Sequence, residues 1–312
     1  MADINIIKIE GKPLEKLIDV ISKGIGTLYR PESIRKEADA EAYKIDIIER
    51  AKNKAIAEGK VIEAETIDKI EERVLNKELH RQQNIEHVAQ IAAEQINQEK
   101  TVSEEPVDDD WATRFFNIVE DISDEEMQNL WGRILAGEVK QPKSYSLRTL
   151  ELLKNLTKEE ANLFMKVANF SINSAKDSFI FKPENDELSK EFNIKFDDLS
   201  QLIEIGLIQP GDFVRYQLLQ STLATKTLFT AGMVLIVVEK KENVPTISFP
   251  ISLFTKTGKE LLKLVNPNPP FLYLTKFAKI INNENVDVKH GLIIEILPDT
   301  IRHTIPLKNF IF

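Results

Sequence analysis

The sequence predicts an α+β protein with long N-terminal helices, a central helical core and a C-terminal winged-helix-like α/β part. Three observations carry this. From Pro31 to about Lys100 the chain is rich in Ala, Glu, Lys, Gln and Ile and is interrupted only by Gly59, the composition of long exposed helices. Between about 108 and 170, short apolar runs at helical spacing each begin at a capping residue. Beyond 171, apolar runs of strand length alternate with helical ones.

Residues 13–29, PLEKLIDVISKGIGTLY, open on a proline suited to the first helical turn and place Leu14, Leu17, Ile18, Ile21, Ile25 and Leu28 on one stripe. Gly24, Gly26 and the Arg30-Pro31 step end this amphipathic helix near 24–31. Two more helices are expected, at about 31–58 and 63–98, turning at Glu58-Gly59-Lys60. Their apolar spacing mixes threes and fours, which favours an antiparallel hairpin over a regular coiled coil. Residues 1–100 therefore read as a helical arm or hairpin.

Thr101–Asp110 combines a proline with five acids and reads as a boundary. A helical core domain is expected over 108–170. Asp109 or Asp110 would cap WATRFFNIVE; Ser123 with Glu126 would make a capping box before MQNLWGRILAG, ending at Gly137. A Leu-rich helix opens at Ser146, and Thr157 with Glu160 makes a second box before ANLFMKVANF. Trp111, Phe115, Phe116, Trp131, Ile134, Leu135, Leu150, Leu153, Phe164 and Val167 are expected to form one core.

Residues 171–265 read as a winged-helix-like domain. A helix over 196–208 closes in Gly-Leu-Ile, strands follow at about 213–220, 228–239 and 245–251, and LFTKTGKELLKLV is helical. Pro267, Pro269 and Pro270 set off a small α/β element, 266–312, read as strand, helix and strand with a final strand near 304–312.

The 312 residues are 42% hydrophobic and 29% charged, ordinary globular usage and enough for two or three compact units. The absence of cysteine excludes a disulfide framework, thiolate metal sites and a cysteine nucleophile. No signal-peptide pattern and no apolar run near the ~20 residues that span a bilayer is present, so a cytoplasmic location is expected. Of the net charge of −9, most sits in the middle: residues 101–140 carry 3 basic against 11 acidic side chains, residues 1–100 carry 17 against 20. No basic stripe of the kind that meets phosphate stands out.

Few residues point to chemistry. His80 and His87 lie two turns apart on one expected helix, too far to share an ion, and His290 and His303 have no ligand spacing around them. No phosphate loop or nucleophile elbow occurs. Asp108–Asp110 reads as capping rather than as a metal site, and Trp111 and Trp131 as core rather than as a stacking platform. Glu138 and Arg148, flanking Pro142 between two capped helices, form a candidate functional loop that either pairs to fix the turn or faces a ligand. No catalytic residue, cofactor or metal is expected.

Three blocks carry a family resemblance: PLEKLIDVISKGIGTLYRP from Pro13, the W-x-x-x-F-F…LWGRILAGE stretch from Trp111, and SLRTLE from Ser146. They resemble an uncharacterised bacterial domain-of-unknown-function family of about this length and, more distantly, the abortive-infection alpha family. The first resemblance transfers no catalytic residue; the second implies a setting in defence against phage.

The expected function is thus a non-catalytic protein that forms a homo-oligomer or binds a protein partner through residues 13–98, with Leu14, Leu17, Ile18, Ile21, Ile25 and Leu28 as the candidate interaction surface. Two alternatives stand beside it. The winged-helix-like segment could make the chain a nucleic-acid-binding regulator, or the 13–29 helix, ringed by Lys12, Lys16, Lys23 and Arg30, could lie on a membrane surface.

Overall fold

The computed structural model describes residues 12–27, 29, 61–97, 102–211, 214–296 and 300–312. Leu28 and the expected helix at 31–58 lie outside these. The chain divides into two compact units, Met1–Leu150 and Glu151–Phe312, which replaces the four segments read from the sequence. Thr101–Asp110 is therefore no domain boundary: the helices before and after it share one core.

That first unit is helical. α1 (Lys12–Ile25) buries Leu17, Val20, Ile21 and Gly24, lying against α3 (Asp109–Val119) and α4 (Glu125–Lys140). The contact is close enough that a Cβ on Gly24 would sit 2.2 Å from Phe116 Cδ2 and 2.9 Å from the Ala112 carbonyl. α2 (Val61–Ile96) is a 36-residue helix whose C-terminal part buries Ile85, Val88, Ala89, Ala92 and Ile96, with Gly132 of α4 admitting Ile91. Tyr29 ties the exit of α1 to α2 by donating to Glu86 Oε2 at 2.5 Å. Trp111, Phe115 and Trp131 pack ring on ring, with centroids 5.0 and 5.4 Å apart. The unit ends in the first turn of α5 (Leu147–Lys154).

The caps fall one residue away from expectation. Asp108, rather than Asp109 or Asp110, accepts from Trp111 N, and Asp124, rather than Ser123, from Met127 N. In both places adjacent acids or hydroxyls compete, and only one reaches N3. α4 runs past Gly137 to Lys140; that glycine is an interior residue that makes room for the Tyr145 ring, 2.8 Å from where its Cβ would be. The Thr157–Glu160 capping box forms as expected.

The second unit holds α6 (Lys158–Ala168), β1 (Ser171–Asn173), β2 (Ser178–Phe181), α7 (Glu187–Phe192), α8 (Phe196–Glu204), β3 (Arg215–Leu218), β4 (Thr225–Ala231), β5 (Val234–Lys240), β6 (Ile247–Leu253), α9 (Lys256–Leu262), α10 (Phe271–Ile281), β7 (Val286–Ile296), β8 (Ile301–His303) and β9 (Lys308–Asn309). The strands make one antiparallel sheet in the order β3-β6-β2-β1-β4-β5-β7-β8, with β9 on β7. Phe179, Phe181, Phe229, Phe249 and Phe277 form its aromatic core. Leu153, Phe164 and Val167 belong to this unit, so the single core expected around Trp111 is in fact two.

Three strand readings change as well. The run 228–239 is two strands, turned at Gly232, whose φ of 57° is left-handed. The resulting β4–β5 hairpin has β1 on one edge and β7 on the other, so it is interior sheet where a wing had been expected. FLYL, read as a strand, is the first turn of α10, started by Pro270. The C-terminal element is not separate, because β7 pairs with β5 from Val234↔Leu292 to Lys240↔Val286. The Gly-Leu-Ile turn and α9 do meet: Thr255 caps α9 and also donates to Gly206 O. No helix among the described residues is long and apolar enough to cross a membrane.

Candidate functional site

The stripe proposed on α1 is taken up by the chain itself. Leu17 and Ile21 are each 1% exposed, and Leu14, Ile18 and Ile25 are half-buried. Of the cations beside it, Arg30 lies outside the described residues and the other three are engaged. Lys12 pairs with Glu104, Lys16 donates to Ser103 O at 2.8 Å, and Lys23 pairs with Asp19 and Asp109. Burial lowers the pKa of Lys16, against the opposing pull of Glu105 and Glu138. Amphipathicity was correctly read, but its partner is intramolecular.

Glu138 does brace the 141–146 turn. Its side chain is buried, and its two oxygens accept from Lys143 N at 2.5 Å and Tyr145 N at 2.9 Å. Lys143, at φ 68°, closes the turn, and its amine pairs with Glu105, which raises its pKa. Tyr145 O accepts from Trp111 Nε1 at 2.8 Å, so this polar knot is continuous with the aromatic core. Arg148 takes no part. It is exposed in the first turn of α5 and forms no hydrogen bond or ion pair among the described residues. The bracing comes from a carboxylate on backbone N–H groups, and pairing with Arg148 is not how the turn is held.

The other candidates settle into structural roles. Asp108 caps α3, Asp109 faces Lys23 and Asp110 faces Arg114. Trp111 and Trp131 are 3% and 0% exposed. His80 and His87 are exposed, and among the described residues no three His, Asp or Glu side chains gather in a metal-holding group.

Sequence reasoning missed the far end of β7. There Leu292, Ile294 and Ile296 are 56%, 62% and 66% exposed. Met233 and Ile305 are exposed too, at 63% and 87%, on segments whose backbone meets this strand: Met233 O accepts from Ile293 N and Leu292 O accepts from Thr304 N. A bulge between Ile293 and Glu295 turns this end of the strand away from regular pairing. The signal was present in Gly291–Ile296, GLIIEI, which is more apolar than a strand with one covered face requires.

The sequence from Asp68 to Ala278 matches the DUF2806 family, described as a protein of unknown function. The chain belongs to the DUF2806 family. No curated protein and no solved structure matches it, and nothing in these comparisons joins it to the abortive-infection alpha family. The DUF2806 match includes the Glu138 turn, the sheet up to β6 and most of α10. It leaves out α1 and the apolar end of β7.

Proposed function

We propose that this DUF2806 chain is a non-catalytic assembly protein whose partner is a second copy of itself, docked through the aliphatic end of its C-terminal sheet. The observation that carries the reading is the exposure of Met233, Leu292, Ile294, Ile296 and Ile305 around one end of β7, each more than half exposed. Apolar surface gathered at one strand end is unfavourable in water unless something covers it. A second copy suits it because a two-fold contact sets a patch against itself, and the charges within it, Glu295 and Arg302, already neutralise each other. Residues 141–312 carry 21 basic and 19 acidic side chains, so the chain's acidity does not oppose contact there. The nucleic-acid alternative is less favoured, since α8 opens on Asp197 and Asp198, which would meet phosphate with like charge.

Light scattering on the full chain tests this. The wild type is expected as a dimer, and Leu292→Asp/Ile294→Asp as a monomer with its melting temperature kept, because exposed substitutions shift stability by only about 0.5 kcal/mol. A wild-type monomer, or a dimer indifferent to the double substitution, would remove the proposal. The distant resemblance to the abortive-infection alpha family supports phage defence as the setting; equal survival of infected cells with and without the chain would speak against that setting.

A further inference from the structure

The edge of β7 carries a second feature, distinct from its aliphatic end. β9 pairs with β7 in the register Lys289↔Asn309 and His290↔Lys308. Directly opposed residues of an antiparallel pair point to the same face, so Lys308 stands beside His290. The neighbouring residues hook the segment onto both faces of the sheet. Leu307 packs on the small cluster of Leu235, Val237 and Ile293, crossing over Gly291, where a Cβ would lie 2.9 Å from Leu307 Cδ2. Phe310 turns to the opposite face, stacked on Phe271 at 5.5 Å and 17°, with its centroid 4.7 Å from the His290 ring. Phe271 meets the same imidazole at 5.0 Å, so His290 lies at the flank of the stacked pair, and Phe312 extends the stack beyond Phe310 at 6.3 Å.

We propose that residues 307–312 form a strap that stays closed while His290 is neutral and loosens when His290 takes up a proton. The imidazole is held against two phenyl rings that stack on each other, with an ammonium as its cross-strand neighbour. From α10 it meets Phe271, from β5 its register partner Ile236, and from β9 Lys308, the one charged side chain among the described residues that acts on it. Burial first, and Lys308 second, lower its pKa from the ordinary 6.5. The sign follows: a base with a depressed pKa stabilises the closed strap fully above its free value, and that contribution is lost as pH falls below about 6.5. Opening would release the Phe310 and Phe312 rings while the rest of the sheet, held by β5, stays paired.

Hydrogen–deuterium exchange on the full chain, expressed as protection relative to the intrinsic rate at each pH, reads the strap directly. Between pH 7.5 and 5.0 protection at 308–312 is expected to fall by about threefold or more, while α10 and β5 hold, since differential protonation alone supplies such factors. His290→Phe keeps the aromatic stack and cannot be protonated, so its strap should stay protected at the lower pH. Should that variant lose α10 protection and so prove misfolded, Lys308→Met serves instead, and its drop should be smaller than that of the wild type. Wild-type protection that does not change with pH would overturn the proposal, as would a His290→Phe strap that opens like the wild type or a Lys308→Met drop of undiminished size.

Discussion

Glu138 shows how a single buried carboxylate organises a turn. Its oxygens satisfy the N–H groups of Lys143 and Tyr145, and buried donors left without an acceptor are expensive. Replacing it with alanine should therefore destabilise the helical unit by about 2–4 kcal/mol, on the scale of hydrogen bonds to charged groups. Arg148→Ala should change stability by no more than about 0.5 kcal/mol, because that side chain is exposed and unpaired among the described residues. Parallel thermal melts decide: equal losses from both variants would mean that Arg148 shares the bracing after all. If Arg148→Ala instead melted normally but abolished self-association, the loop would be a working surface. The sequence made Glu138 and Arg148 conspicuous as opposite charges around a proline. It could not show which backbone N–H groups the turn would aim at the carboxylate, since that depends on Lys143 adopting φ 68°. The buried Trp111 and Trp131 were legible because their neighbours are apolar at helical spacing.

Among the elements, α1 is the clearest case of a pattern correctly read with its partner wrongly assigned. Helical periodicity reports that a stripe must be covered, not by what. Here α3 and α4 cover it, and Gly24 sets the distance of closest approach. Alanine in a helix interior is ordinarily better than glycine by about 1 kcal/mol. At Gly24 the added methyl would meet the Ala112 carbonyl at 2.9 Å as well as the Phe116 ring, and backbone cannot swing aside as a side chain can. Overpacking of about 1–3 kcal/mol should win, so Gly24→Ala is expected to lower the melting temperature; a rise would show that α1 rides loosely. Strand positions in β3 and β6 were legible within a few residues because their apolar runs are local. Sheet order was not. β1 beside β4 and β2 beside β6 are long-range pairings, and nothing in a short window of sequence encodes which run lies next to which.

At the scale of the whole molecule, the two units have separate cores, and the aromatic residues happen to label them. Both tryptophans of the chain, Trp111 and Trp131, lie in Met1–Leu150, so tryptophan fluorescence follows the first unit alone. Among the described residues the strands all lie in Glu151–Phe312, so their signal in circular dichroism follows the second. Tyr273 gives a way to perturb one without touching the other. It is fully buried, its hydroxyl accepts from Phe181 N at 2.7 Å and donates to Phe181 O at 3.2 Å, and burial pushes its pKa up. Phenylalanine at 273 keeps the ring packing against Phe170 and Phe192 but strands both backbone groups of Phe181 in the core, at a cost of about 1–3 kcal/mol. Independent units would show the strand transition moving down by several degrees while the fluorescence midpoint stays in place, because coincident transitions are the mark of a single cooperative unit. If both probes shift together, the division into two cores has no thermodynamic counterpart. The stability of the β7 edge that carries the aliphatic patch would then be inseparable from that of the helices around Trp131.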